Sequence, residues 1–259
     1  MITREKLDTL YDLYNHREFV HPDPLEFLYA YSDPREREVV GLIASSLAYG
    51  RVAQILKSVS SILEKMHPSP RSFLMDSSRK NLFECLFGFR HRFTTGDEMA
   101  SMLLGAKHVI EKFGSLHDCF IAGYNDDDTV LPALSAFVNE LKSGAQTTKN
   151  SLLPSPDKGS ACKRMNLFLR WMVRKDRVDP GGWNGVSPSR LIIPLDTHMH
   201  KICLGLNVTR RKQSDMSTAV EITKVFREID PKDPVRYDFA LTRLGIRKDA
   251  DLESFLRNC

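Results

Sequence analysis

Lys163 and Asp196 are the two residues whose types and settings could carry out chemistry together. Lys163 closes the turn-like segment Gly159-Ser160-Ala161-Cys162-Lys163-Arg164-Met165-Asn166 and opens the apolar run Leu167-Phe168-Leu169-Arg170-Trp171-Met172-Val173. The pattern predicts a turn entering a helix, with the lysine on its first turn. Asp196 follows Ile193-Pro194-Leu195 and precedes Thr197-His198-Met199-His200-Lys201-Ile202-Cys203, the position of a helix N-cap. Backbone N–H groups and the helix dipole favour a charged carboxylate there.

Such a pair suits cleavage of an N-glycosidic bond. Positive charge builds on the sugar as the bond breaks, so a carboxylate fixed near C1′ stabilises the transition state more than the ground state. A neutral amine can then occupy C1′, giving a Schiff base that permits strand cleavage by β-elimination. With a solution pKa of about 10.4, a lysine needs burial or nearby positive charge to act this way. Lys163 has the N-terminal end of its own helix and Arg164 beside it, and positions 163, 167 and 171 share one helical face with Leu167 and Trp171. The plainer alternatives are a surface lysine and an aspartate that only caps its helix.

These two segments resemble the helix-hairpin-helix superfamily of DNA glycosylases, which contains endonuclease III and the 8-oxoguanine DNA glycosylases. Gly159, Lys163 and Asn166 match the family's Gly-x-Gly-x-Lys-x-x-Asn hairpin, with Ala161 in place of its second glycine. Ile193-Pro194-Leu195-Asp196-Thr197-His198-Met199-His200 is similar to the Val-Asp-x-His segment, closest to the 8-oxoguanine branch. Lys163 and Asp196 lie 33 positions apart, longer than the endonuclease III spacing, and a long insertion is also a feature of archaeal 8-oxoguanine glycosylases. The whole chain also resembles an uncharacterised bacterial family of this size. The resemblance implies a bifunctional glycosylase and AP lyase that flips an oxidised purine, such as 8-oxoguanine, out of double-stranded DNA. Lys163 and Asp196 would be catalytic, with Gly159 and Arg164 on the DNA. The alternative is a catalytically silent helical module that binds nucleic acid.

Other residues join this expectation. His198, in the first turn after Asp196, is placed to hold a phosphate. Glycosylases of this superfamily probe the duplex with a polar turn where this chain has Ser45-Ser46-Leu47-Ala48-Tyr49-Gly50-Arg51. Tyr49 could wedge into the gap left by an extruded base and Arg51 could contact the widowed base or a phosphate; otherwise they are a packed tyrosine and a solvated arginine. Trp183, in the glycine-rich insertion, either stacks on the flipped base or clamps the loop onto the core. Phe83, Phe87, Phe89 and Phe93 interleave with Arg90, His91 and Arg92, a pattern for a base-stacking surface or for ordinary core.

Asp196, His198 and His200 do not read as a metal site, because positions i and i+2 point to different sides of a helix. The five cysteines form no CxxC pair, and no cysteine cluster for iron and sulfur closes the chain. No metal or cofactor is expected. The net charge of +4 is concentrated: residues 158–212 hold twelve basic and three acidic residues, a net of +9, as in a polyanion binder. No run has the apolar length of a membrane span, and the N-terminus opens into an amphipathic pattern, so a monomeric cytoplasmic protein is expected.

Helical spacing runs through Leu7–Tyr14, resumes at Leu25, Leu28 and Tyr29, and continues from an Asp33-Pro34 cap to near Gly50. It recurs over Ile55–Leu63, Asp97–Lys112, Thr129–Lys142 and Ser214–Ile229, and after an Asp233-Pro234 cap. With no convincing period-2 strand and no repeat, an all-α fold is expected. The resemblance makes it one glycosylase-like domain over 1–259, with helical subdomains 35–145 and 1–34 plus 146–259 and the site in the cleft between them.

Overall fold

Asp33 accepts a hydrogen bond from the Arg35 N–H (2.9 Å) and Pro34 occupies the first helical position, which starts α2 (Pro34–Ser46) where the sequence predicts. From Glu38 to Ser46 every residue of this helix is buried, so it is enclosed on all sides and acts as the internal spine. The computed structural model describes residues 2–145, 149–247 and 252–257. Gln146, Thr147 and Thr148 of the expected polar connector, and Cys259, lie outside them.

Before α2 come α1 (Arg4–Tyr14) and a 3₁₀ segment, Pro24–Ala30; after it come α3 (Val52–Lys65), α4 (Pro70–Asp76) and α5 (Arg79–Cys85). The α-helix expected around Leu25, Leu28 and Tyr29 is thus a 3₁₀ turn. Its buried residues Leu25 and Leu28 are spaced by three, which stacks them along a three-residue turn. A short antiparallel hairpin follows, β1 (Arg90–His91) and β2 (Thr94–Thr95), paired Arg90 to Thr95 and His91 to Thr94. Two-residue strands are too short to display alternation, so the sequence pattern does not reveal them.

The helices α6 (Gly96–Phe113), α7 (Leu116–Ala122) and α8 (Leu131–Gly144) pack on one another, with α4 and α5 against α6. A capping box between Thr95 and Glu98 fixes the start of α6. The rest of the chain forms α9 (Lys163–Val173), α10 (Thr197–Gly205), α11 (Met216–Ile229), α12 (Asp238–Ile246) and α13 (Leu252–Arg257). The spine α2 packs against α9 on one side and the Pro24–Ala30 segment on another, while α12 packs against α1 and α10. One continuous apolar core runs through the described helices. The fold is predominantly helical, and among the described residues no helix is long and apolar enough to cross a membrane.

The expected cap of the last long helix is corrected. Its first residue is Asp238, and the Asp233 carboxylate instead receives the Arg174 guanidinium at 2.9 Å.

Candidate active site

The turn before α9 is built to deliver Lys163. Gly159 adopts φ +74 with open space where a Cβ would stand, and its carbonyl accepts from the Met216 N–H at the start of α11 (3.0 Å). Cys162 then takes φ +48, a left-handed conformation that a side chain makes costly, and no side chain caps the helix. The Asn166 amide donates back to the Ala161 carbonyl (3.1 Å), closing the turn from inside.

Asp196 arrives from the other direction. One carboxylate oxygen accepts from the Met199 N–H at 2.8 Å, the N-cap bond expected from the sequence. The other lies 3.2 Å from Lys163 Nζ, which also donates to the Ala48 carbonyl at 3.3 Å. The lysine side chain is 31% exposed and the aspartate 16%, so the pair is shielded but open. Two groups separated by 33 positions therefore meet, and both line a cavity of about 1020 Å³. Leu167 and Trp171 continue the lysine's face along the wall, as their spacing requires.

His198 is exposed and also lines the cavity. Tyr49 lines it too, and its phenol donates to the His91 carbonyl (2.9 Å) and lies 2.7 Å from the Thr94 hydroxyl, the arrangement of the packed tyrosine that was the alternative to a wedge. Arg51 is the exposed N-cap of α3, next to this wall. Gly159 is exposed on the turn before α9, outside the cavity.

Two expectations are corrected. Arg164 turns inward, donating to the carbonyls of Ser46 (3.0 Å) and Ser151 and lying 5.1 Å over the Tyr49 ring, so its cation braces the turn instead of facing DNA. Trp183 is 2% exposed and does not line the Lys163 cavity. It packs on Phe120, Phe137 and Phe168, and its indole N–H donates to Glu38 at 3.1 Å. A base cannot stack on a ring already enclosed by three others, so Trp183 is a loop clamp. Glu38 also accepts from the N–H groups of Leu116 and His117 (2.9 and 3.0 Å), tying the insertion to the start of α7. Burial pushes the Glu38 carboxyl up to about 6, against the pull of these donors and of Arg71.

Arg170 and Asp238 were not foreseen as site residues. Both line the cavity and bond to each other, Arg170 being one helical turn beyond Leu167 on the lysine's own face. That periodicity was the available signal; the arginine reads in sequence as one more surface cation. Burial pushes the Asp238 carboxyl up to about 6, opposed by Arg170. Behind it, Asp179 (2.9 Å from Arg170) also pairs with Arg174, which reaches Asp176 and Asp233 at 2.9 Å each. Burial lowers the affinity of both guanidiniums for their protons, yet the surrounding carboxylates hold them above the ordinary arginine value.

A family described as a protein of unknown function (DUF2400) matches residues 23–247. The chain belongs to this family. The DUF2400 match contains Lys163, Asp196, Arg170, Asp238 and the cavity wall apart from Phe19, His21 and Pro22. No curated protein and no solved structure matches the chain. His200, the third residue of the discounted metal set, is held by the Arg211 carbonyl (2.8 Å), and no group of potential metal ligands occurs among the described residues.

Proposed function

We propose that this protein is a DNA repair glycosylase with AP-lyase activity that excises an oxidised purine, such as 8-oxoguanine, from double-stranded DNA. The observation that carries the reading is the 3.2 Å approach of the Lys163 amine to the Asp196 carboxylate on the wall of a nucleotide-sized cavity. The lining draws on both expected subdomains, Ala48, Tyr49, Gly50, Val52, Ile55 and Arg92 from 35–145 and the remainder from the rest of the chain, which supports a helix-hairpin-helix-like cleft.

In this mechanism the extruded nucleotide enters the cavity beside the pair. Asp196, held by the Met199 N–H, faces the cationic sugar as the bond to the base breaks and its electron pair leaves with the base. Lys163 passes a proton to a neighbouring carboxylate or water and its lone pair bonds to C1′. The nitrogen lone pair then forms the C1′=N bond as the bond from C1′ to the ring oxygen breaks and that oxygen takes up a proton, giving the Schiff base; removal of a C2′ proton expels the 3′ phosphate, and water hydrolyses the imine to free the lysine. The Ala48 carbonyl orients the amine throughout.

The test is incubation with duplexes containing 8-oxoguanine or an abasic site. Strand cleavage that disappears in Lys163→Gln, while DNA binding survives, supports the enzyme. Salt-sensitive binding without cleavage by the wild type leaves only the silent binding module.

A further inference from the structure

With Tyr49 packed, another side chain can meet the gap in the duplex. The β1–β2 hairpin has a rigid stem and an exposed tip. His91 and Thr94 are both 0% exposed, and the His91 ring is held by the Ser58 hydroxyl (2.9 Å) and the Tyr49 carbonyl (3.0 Å). The Tyr49 phenol bridges the two strands from below. At the tip, Arg92 sits at φ +52 and is exposed, and Phe93 is 78% exposed beside the fully buried Thr94. A single phenylalanine left in water is ordinary on a protein surface and is not by itself a reason to assign a role.

Its position supplies one. Arg92 lines the cavity, and its guanidinium lies 5.9 Å from the Tyr49 ring centre and 5.3 Å from that of Phe93. It passes so close to Gly50, at φ +98, that an added Cβ would stand 2.7 Å from Arg92 Cδ. The cation therefore links the aromatic ring to the cavity wall, and Arg51, which follows Gly50, and Arg90, in β1, are exposed cations on the adjoining chain segments. Neither Phe93 nor Phe87, the other strongly exposed phenylalanine among the described residues at 87%, lines the cavity itself; Phe93 is joined to the wall through Arg92.

We propose that Phe93 is the wedge of this protein: its ring enters the base stack at the step vacated by the extruded nucleotide, while Arg92 and its neighbours hold the flanking phosphates. The partner is duplex DNA at a disrupted step, and the assignment rests on the proposed reaction. Aromatic faces stack on any base, so the wedge serves extrusion without choosing the lesion.

The test uses a duplex with a tetrahydrofuran abasic analogue and 2-aminopurine beside it, which reports unstacking without any chemistry. Wild type raises the fluorescence; Phe93→Ala lowers the rise by about tenfold and Phe93→Trp retains it, since one stacked aromatic ring is at stake. An exposed tip residue leaves the melting temperature unchanged. An equal rise with Phe93→Ala, or no rise with wild type, overturns the wedge. Borohydride trapping on a natural abasic duplex is run in parallel. If a rise dependent on Phe93 comes without any trapped adduct, the glycosylase chemistry fails and the wedge stands; if an adduct forms while the rise ignores Phe93, the chemistry stands and the wedge fails.

Discussion

At the scale of single residues, Asp196 has two separable roles. Asparagine is as good an N-cap as aspartate, so Asp196→Asn keeps the bond to the Met199 N–H and changes stability by under about 1 kcal/mol. It removes the charge that faces the sugar, and excision falls by about 10²- to 10³-fold. Parallel melting and single-turnover assays check both; a variant equally impaired in both would reduce Asp196 to a cap. Trp183 behaves oppositely. Trp183→Phe removes one of the three hydrogen bonds to the buried Glu38 carboxylate and costs about 1–3 kcal/mol, measured by urea unfolding, yet the folded variant retains single-turnover excision. The lysine and the aspartate were legible in sequence because turn, cap and helical face are local patterns. The fate of Trp183 was not, since it depends on Phe120, Phe137 and Phe168, which arrive from three other helices.

At the scale of elements, α9 carries the proposed nucleophile on its first turn and an ion network on its last. Two guanidiniums, Arg170 and Arg174, meet four carboxylates, Asp176, Asp179, Asp233 and Asp238, mostly out of water. The excess of acids fits the raised Asp238 carboxyl. Because Asp179 is 0% exposed and serves both arginines, Asp179→Ala leaves two buried cations short of a partner and destabilises the protein by about 3–5 kcal/mol, checked by denaturant unfolding. The long helices were legible from apolar spacing and caps. The short helices α4, α5 and α7 escaped because seven residues hold barely two turns of periodicity, and the true start of α12 escaped because Asp233 is diverted to Arg174.

For the whole molecule, the +9 counted over residues 158–212 overstates the field around the site. Arg170 and Arg174 are neutralised internally, and Arg190 and Arg211 pair with Asp126 and Asp215. A linear count cannot see partners such as Asp233 and Asp238 that lie outside the window. The buried acids also set a pH dependence. Glu38, raised from its ordinary 4.5 to about 6, holds its proton more tightly in the folded state, so its contribution is complete below pH 4.5 and is lost as the pH rises through 6. That difference corresponds to about 2 kcal/mol. Between pH 4.5 and 7 the wild type should lose about that much more unfolding free energy than Glu38→Gln, measured by urea titration at each pH; equal slopes would place the raised carboxyl elsewhere.

The central claim is that the Lys163 amine reaches C1′. Borohydride reduction of the protein on an abasic duplex, followed by proteolysis and peptide mass analysis, tests it most directly. The account predicts the sugar-derived mass on the peptide containing Lys163 and its disappearance in Lys163→Gln. An adduct on another amine, or none with the intact wild-type protein, would contradict it.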